Sequence, residues 1–453
     1  MTESLDRTSQ GAGHEGHLRG RVLKGVSWLV AGSLSQRLIR LTSNLILTRI
    51  LFPEDFGVAA LVFAWVQGLL LCSDLGVIRG IIQHPDGASR EFLGTAFTLN
   101  LTRSILLCLV GAFIAPFMAA FYEMPELTWM LPVASLTVFI NACNSPRAVL
   151  LIRDLELRKG EGIALVTVLS GIMFTVTLAI LWGNAWALIV GGLFRDLFKC
   201  ALSYLVCPPL GVRPCWNKKA VKEILVFGRW IVVSSIFAFL AIQADRLIAA
   251  KFVSTAVLGH LSIALLYIGI VRGLVGQTNG KLLMPIFSKV EANEPGRLLP
   301  RLLRARSLLL CSVLPILFGM AFFGPELIGF LYADRWTSVG FFLQCAAVGF
   351  VPSILLSGLS SALLSMGDSK ANAIVTGVDV CAQMVLMLVG VLTNGLAGML
   401  IARGLSSFIS YPFLAVQLRR RGLWTPRFDF FVLIGSAAIL FLGFYLRPLL
   451  AYR

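Results

Sequence analysis

The sequence has little charge for its length. Of its 453 residues only 14% are charged, whereas 57% are hydrophobic, which lies outside the usual balance of a soluble globular protein. The hydrophobic residues fall in blocks of roughly 19 to 26, the length that crosses about 30 Å of hydrocarbon at 1.5 Å per residue. The shortage of charge therefore argues against a soluble enzyme and indicates an integral membrane protein.

Motifs for catalysis and metal binding are also lacking. The nine cysteines are scattered through hydrophobic segments without a CxxC pair, which is typical of small packing residues. His14 and His17 have a spacing that suits a metal, but they lie in a polar stretch that reads more simply as a solvated tail. No nucleophile elbow, phosphate loop or zinc helix motif occurs. The sequence therefore predicts no enzyme activity, no metal and no cofactor.

Hydropathy predicts thirteen membrane spans. They lie near residues 26–48, 56–78, 92–115, 127–149, 162–182, 185–207, 224–249, 257–280, 303–323, 338–364, 371–393, 396–418 and 428–446. Residues 1–20 are polar and are expected to form a disordered cytoplasmic tail. The connections are short on both faces, and the longest external one, 323–338, is too small to be a domain.

The distribution of the net charge of +16 predicts orientation. Most of the 39 lysines and arginines fall in loops on the side of the N-terminus, so the positive-inside rule places that terminus in the cytoplasm. The same rule explains the charge without nucleic acid as a partner. The basic loops at 217–222 and 297–307 are expected to face anionic membrane lipids.

The chain contains an internal repeat with an offset of 202 residues. Trp28, Arg49 and Gly57 in the first half correspond to Trp230, Lys251 and Gly259 in the second half. We therefore predict an all-α protein of two six-helix lobes, related by an axis along the membrane normal and separated by a solvent-filled cavity. The predicted parts are an N-lobe at 21–207, a linker at 208–223, a C-lobe at 224–418 and an accessory helix at 428–446.

Two arginines lie in the middle of the first span. Within "SLSQRLIRLTSNLILTRILFPEDFG" (33–57), the side chains of Ser33, Arg37, Arg40 and Asn44 form one polar stripe on a helix, with Gln36 at its edge. Both guanidiniums lie about 16 to 21 Å from the inner end of the span. Each would cost roughly 2.5–3.5 kcal/mol if it faced lipid, so the stripe is expected to face the cavity between the lobes.

Further charges occur within the spans, and arginine outnumbers the acids. Arg103 and Arg272 have no obvious partner in the sequence, and with Arg37 and Arg40 they make a cavity suited to an anion, since guanidinium binds phosphate bidentately. The alternative is that unseen carboxylates on neighbouring helices neutralise them. Asp74 and Asp379 are candidates for a coupling-ion or proton site, although structural pairing is the simpler reading of each. Asp245 and Arg246 are expected at a water-exposed rim.

Several stretches resemble one known family. The runs "RILFPEDFGVAALVFAW" (49–65), "SDLGVIRGIIQHPD" (73–86) and "GTAFTLNLTRSILL" (94–107) look like the polysaccharide transport family, the Wzx-like flippases of the MATE-like exporter superfamily. "SPRAVLLIRDLELRK" (145–159) and "QADRLIAAKFVSTAVLGHLSIA" (243–264) extend the resemblance over about residues 21 to 446. The family usually has fourteen spans, which would add a second accessory helix.

The resemblance implies a flippase of the bacterial inner membrane. Its substrate would be an undecaprenyl-diphosphate-linked oligosaccharide, held in a cationic cavity by arginines of the first and eighth helices, where Arg37, Arg40 and Arg272 lie. Surrounding membrane lipids, a polysaccharide polymerase and a chain-length regulator are the implied partners. The alternatives are a cation-exchanging multidrug exporter, which should show acidic residues in its cavity, and a polysaccharide polymerase, which should have a large external loop.

Overall fold

The structure is a computed structural model that describes residues 32–73, 76–154, 156–208, 211–279, 287, 298–359, 362–363, 366 and 369–451. Regular structure within these ranges is helical throughout. The predicted tail at 1–20, Trp28 of the repeat and the coupling candidate Asp74 lie outside the described residues.

The described residues of the first half form eight helices. They are α1 over residues 32–50, α2 (Pro53–Cys72), α3 (Val77–Gln83), α4 (Arg90–Tyr122), α5 (Leu127–Ala142), α6 (Leu150–Arg153), α7 (Leu157–Trp182) and α8 (Trp186–Val206). Short 3-10 turns, Pro85–Ala88 and Pro146–Val149, precede α4 and α6. Hydropathy predicted the long helices but not the short helices α3 and α6, because their apolar residues are continuous with those of the spans beside them.

In the described part of the second half, six helices have defined bounds. They are α9 (Lys218–Phe252), α10 (Thr255–Gln277), α11 (Leu298–Leu331), α12 (Ser338–Leu355), α13 (Ser369–Arg419) and α14 (Pro426–Ala451). Among the described residues, nine helices are long and apolar enough to cross a membrane. The predicted all-α membrane architecture is thereby confirmed.

Helix α13 contains two predicted spans. Its 51 residues would reach about 77 Å if straight, more than twice the hydrocarbon thickness. Asn394 and Gly395 depart from helical geometry, and Gly395 has φ 60°. A Cβ at Gly390 would lie 2.6 Å from the carbonyl oxygen of Gly398, which is about 12 Å away along a straight helix. The chain therefore reverses at Gly395, and the two halves pack closely through glycine.

Polar caps fix where the spans begin. Ser89 accepts a hydrogen bond from the backbone N–H of Phe92 at the start of α4, and Ser254 does the same for Val257 at the start of α10. At the other end of α4, Glu123 adopts left-handed geometry and its N–H bonds back to the last turn. The caps thus supply hydrogen bonds to backbone groups at the helix ends that would have no partner in hydrocarbon.

The chain forms two compact units. Unit 1 contains residues up to Leu51 and Trp65–Ser235, and unit 2 contains Phe52–Ala64 and Ile236–Arg453. The division falls within α2 and α9, so the lobe boundaries at 21–207 and 224–418 stay predictions.

Two glycines of the repeat meet inside unit 2. A Cβ on Gly57 would collide with the carbonyl oxygen of Thr255, and a Cβ on Gly259 would collide with that of Pro53. Since residues 53 and 57 correspond to 255 and 259 at the offset of 202, each repeat makes the same contact on the other. The two helix starts are therefore related by a local two-fold axis, and both need glycine at the crossing.

A buried ion pair fastens the accessory helix α14. Arg306 of α11 is 1% exposed and contacts Asp429 at 2.7 Å (Nη2 to Oδ1), and its Nη2 also donates to the carbonyl of Leu355. Tyr411 donates a hydrogen bond to the other carboxylate oxygen of Asp429 at 2.8 Å. The prediction that the basic segment 297–307 faces lipid is therefore wrong for Arg306, because a carboxylate 123 residues away neutralises it.

The glycine crossing generates a prediction for stability. Gly259→Ala should destabilise the protein, because the added methyl group meets backbone that cannot shift without moving α2. Gly269→Ala, on the same helix with open space around it, should be neutral or stabilise by about 0.5–1 kcal/mol. Thermal unfolding of the purified variants in detergent measures the difference. Equal melting temperatures for the two variants would contradict the crossing.

Candidate functional site

The predicted stripe on α1 lies in a cationic part of unit 1. Gln36 donates a hydrogen bond to Glu161 of α7 at 2.9 Å, which fixes the rotation of α1. Arg37 is half-buried and Arg40 is exposed, and both Arg37 and Arg195 of α8 lie close enough to Arg40 to repel its charge. Arg40 makes no ion pair with a carboxylate among the described residues. The stripe therefore has an accessible guanidinium among other cations.

Arg195 and Asp196 supply the local charge balance of α8. Arg195 Nε contacts Asp196 Oδ1 at 3.0 Å, and Asn141 of α5 donates to the other oxygen of that carboxylate at 3.2 Å. Asp196 is buried and paired with Arg195, and no ion pair joins it to Arg40 in the described structure.

Arg103 has a structural contact in unit 1. Its Nη1 donates to the backbone carbonyl of Ser73, just beyond the end of α2, across from α4. This bond satisfies a carbonyl that the end of a helix leaves open. The role of Arg103 in substrate binding stays a prediction, and the contact supports the alternative that it holds α2 in place.

Unit 2 brings Arg272 together with an arginine that sequence reasoning set aside. Arg246 of α9 and Arg272 of α10 lie close enough for their charges to repel. Arg272 stacks over the ring of Phe350 at 5.3 Å, and Arg246 donates to the amide oxygen of Gln243 at 2.8 Å. In the described part of the chain neither makes an ion pair with a carboxylate. Two adjacent guanidiniums with neutral partners form a site suited to a multivalent anion.

The neighbour of Arg246 in the sequence is deeply buried. Asp245 is 1% exposed, and its Oδ2 pairs with Nη1 of Arg403 on α13, while Nη2 of Arg403 donates to the carbonyl of Ala241 at 2.8 Å. The prediction of a water-exposed rim is therefore wrong for Asp245. Arg246 was missed because the sequence placed it beside Asp245 at a water-exposed rim, and the partner of Asp245 lies 158 residues away.

Asp379 is held by hydroxyl groups. Ser406 and Ser410, one helical turn apart, each donate to Asp379 Oδ1 at 3.1 Å. All three residues lie on the two halves of α13 that the kink folds back on each other. The structure thus gives Asp379 two neutral hydrogen-bond donors and leaves its predicted coupling role untested. In the described ranges no group of three His, Cys, Asp or Glu residues could hold a metal ion.

Comparison with known proteins places this geometry in context. The sequence profile of the family described as "Polysaccharide biosynthesis protein" matches residues 46–340. The lipopolysaccharide biosynthesis protein WzxC of Escherichia coli is 22% identical over 340 residues, covering 74% of this chain and 68% of that protein.

Two solved structures share the fold. The lipid II flippase MurJ, in an inward closed conformation, has a TM-score of 0.73 at 12% identity and covers 91% of both chains. An inward-facing MATE family multidrug resistance transporter of the MOP superfamily has a TM-score of 0.66 at 16% identity, covering 86% of this chain and 95% of that one. At these identities the likeness concerns the fold, which flippases and drug exporters have in common.

The buried pair of Asp245 and Arg403 generates a second prediction. Asp245→Ala should destabilise the protein by about 3–5 kcal/mol, because it leaves a guanidinium buried without its counter-ion. The double variant Asp245→Leu/Arg403→Met should lose less than Asp245→Ala, since no charge then remains. Unfolding by denaturing detergent measures both. A double variant that loses as much stability as Asp245→Ala, or more, would show that the pair is not coupled.

Proposed function

Because the chain belongs to the polysaccharide biosynthesis protein family, we propose that it is a transporter that moves lipid-linked oligosaccharide across the bacterial inner membrane. The substrate would be an undecaprenyl-diphosphate-linked repeat unit on its way to a surface or exported polysaccharide. The relationship to WzxC and the fold shared with the flippase MurJ support this function. The nine helices in the described residues that are long and apolar enough to cross a membrane support a multi-pass membrane location.

The observation that carries the proposal furthest is the pair Arg246 and Arg272. Their neutral partners, a glutamine amide and a phenyl ring, leave two positive charges to bind a ligand. A diphosphate offers two anionic groups that each accept bidentate hydrogen bonds from guanidinium. Arg37 and Arg40 of unit 1 are proposed to bind the same class of ligand, as the sequence predicted, and Arg103 is the weaker candidate because it already holds the end of α2.

The energetics of transport follow from the charge of the substrate. A membrane potential that is negative inside favours outward movement of an anion by about 2.3 kcal/mol per charge per 100 mV. Alternating access between the two faces would let this potential act on the loaded state. Asp379 and Asp74 are proposed to take part in resetting the empty carrier with a proton or cation. A polysaccharide polymerase and a chain-length regulator would receive the product.

The main alternative is export of cationic drugs, which the fold alone would permit. Such a carrier needs carboxylates available to a cation. Of the acidic residues predicted within the spans, Asp196 and Asp245 pair with arginines, and Asp379 accepts two serine hydroxyls. These carboxylates are already paired or hydrogen-bonded, whereas Arg246 and Arg272 have neutral partners. This combination favours an anionic substrate over a cationic one.

The proposal predicts a specific loss of transport. In cells that lack their own flippase, Arg272→Ala and Arg246→Ala should each reduce surface polysaccharide by about tenfold to a hundredfold, the effect of losing one charge-assisted interaction of roughly 1.5–3 kcal/mol. The double variant Arg37→Ala/Arg272→Ala should abolish complementation. Arg304→Ala, an exposed arginine of α11, is the matched control and should complement fully.

Protein level in the membrane must be measured for each variant by immunoblot. Near-normal polysaccharide in the Arg37→Ala/Arg272→Ala variant at wild-type protein level would refute the cationic site. If the wild-type chain does not complement but lowers the accumulation of a cationic dye in the same cells, the drug exporter is the better reading.

A further inference from the structure

A cavity of about 400 Å³ lies beside the start of the accessory helix α14 in unit 2. It extends along α14 from Pro426 to Leu433, about 10 Å of helix, and the exposed rings of Phe408 and Phe430 line it. A volume of this size is within the range of pockets that hold small organic ligands. None of the residues proposed to bind or couple the transported substrate is among its lining residues.

The cavity is a gap in the packing of helices. Helix α14 packs against α12, and against α11 where a Cβ on Gly443 would meet the ring of Phe322. At its start, α14 is held by the ion pair of Arg306 with Asp429. Its contact with the second half of α13 is much sparser, and Phe408 of α13 lines the space that this leaves. The gap therefore lies between α13 and α14.

The wall of the gap is almost entirely apolar. Pro352 and Leu356, near the end of α12, line it together with Leu433 of α14. Arg306 and Asp429 also border it, but each already has the other as its partner. An apolar cavity does not hold water, and an empty one loses dispersion contacts on every side. Because α14 is a candidate membrane span with most of its surface uncovered, a hydrocarbon chain is the group that suits this gap.

Basic side chains lie at one end of the gap. Arg427, in the first turn of α14, is exposed and lines the cavity. Residues 419–421 are three exposed arginines at the end of α13 and just after it. Arg419 lies over the ring of Trp424, a cavity residue, at 5.8 Å, so this run is beside the gap. Within the described residues, neither Arg420 nor Arg427 makes an ion pair with a carboxylate.

The predicted position in the membrane agrees with an apolar gap that has a basic end. The distribution of charge predicts that the end of α13 and the start of α14 lie at the cytoplasmic face. Trp424 lies at that level, as tryptophans do at membrane interfaces. The cytoplasmic leaflet carries anionic lipids, and basic pockets between membrane helices on that side bind their headgroups.

We propose that the gap between α13 and α14 binds one anionic phospholipid of the cytoplasmic leaflet. One acyl chain fills the apolar space as far as Leu433, and the phosphate group contacts Arg427 and Arg420. The lipid thereby completes the packing of α14 on unit 2. A polyprenyl phosphate has the same two kinds of group, but its chain is far longer than this gap. The arginines proposed for the transported diphosphate also lie elsewhere, on α1, α9 and α10.

The test labels the site with a phospholipid that carries a photoreactive diazirine in one acyl chain. The full-length protein, in nanodiscs of phosphatidylcholine, is irradiated with a trace of labelled phosphatidylglycerol or labelled phosphatidylcholine, and labelled peptides are identified by mass spectrometry. Peptides with residues 352–356 and 426–433 should be labelled at least tenfold more by phosphatidylglycerol. Leu356→Trp and Leu433→Trp each fill the gap and should abolish this labelling. Either variant suffices if the other does not fold.

The charge of the site is tested separately from its shape. Arg427→Gln and Arg420→Gln should each lower labelling by phosphatidylglycerol about fivefold, the effect of one basic residue near a membrane surface, and the double variant should fall to the level of phosphatidylcholine. Arg304→Gln and Leu442→Trp are the matched controls, because both positions are exposed and lie outside the cavity lining. Both should be labelled like the wild type. Melting temperatures identify the variants that fold.

Three outcomes would overturn the proposal. Equal labelling by the two phospholipids would remove the selection for negative charge, and labelling that persists in both folded tryptophan variants would place the lipid outside the gap. If labelled undecaprenyl phosphate reaches the same peptides and displaces phosphatidylglycerol, the gap holds the tail of the transported lipid instead. Failure of the chain to move lipid-linked glycan in cells would refute the proposed function and leave the labelling result unchanged.

Discussion

A charge inside hydrocarbon must be neutralised, hydrated or bound to a ligand, and this constraint organises both units of the protein. Where the chain provides a counter-ion, as for Asp245 with Arg403 and Arg306 with Asp429, the charges are buried and fix the positions of helices. Where it provides only neutral partners, as for Arg246 and Arg272, the charge is left for a ligand. An arginine that pairs with a carboxylate therefore has a structural role, whereas an arginine with only neutral partners is available to bind a ligand.

The buried pairs connect helices that are far apart in sequence. One joins α9 to the second half of α13, and the other joins α11 to the start of α14. Because each charge must face its counter-ion, the helices that carry these charges can pack in one rotation only. Any other rotation would place an unpaired charge against lipid. At the kink of α13, glycine allows the backbones of the two half-helices to come into close contact. Apolar side chains alone would give little preference for one packing direction. Ion pairs and close glycine contacts together specify how the helices of unit 2 pack.

The spans were predictable because hydropathy over a whole helix is a large, additive signal, and the repeat was predictable because Gly57 and Gly259 keep their offset. Which faces of the helices meet was not predictable, because helix rotation depends on contacts between distant segments. Asp245 was expected at a water-exposed rim, yet it is buried and pairs with Arg403. Arg306 looked like a surface residue within a basic run, yet it is buried.

The reciprocal contact of Gly57 with Thr255 and Gly259 with Pro53 carries information about the origin of the chain. An interface in which one surface patch meets its own equivalent is isologous, the kind made by two identical subunits in a symmetric dimer. A half-length ancestor could have formed this interface with a second copy of itself, before gene fusion joined the copies. After such a fusion neither glycine has room for a Cβ, because each faces the backbone of the other repeat. A side chain at either position therefore requires the backbone of the other repeat to move.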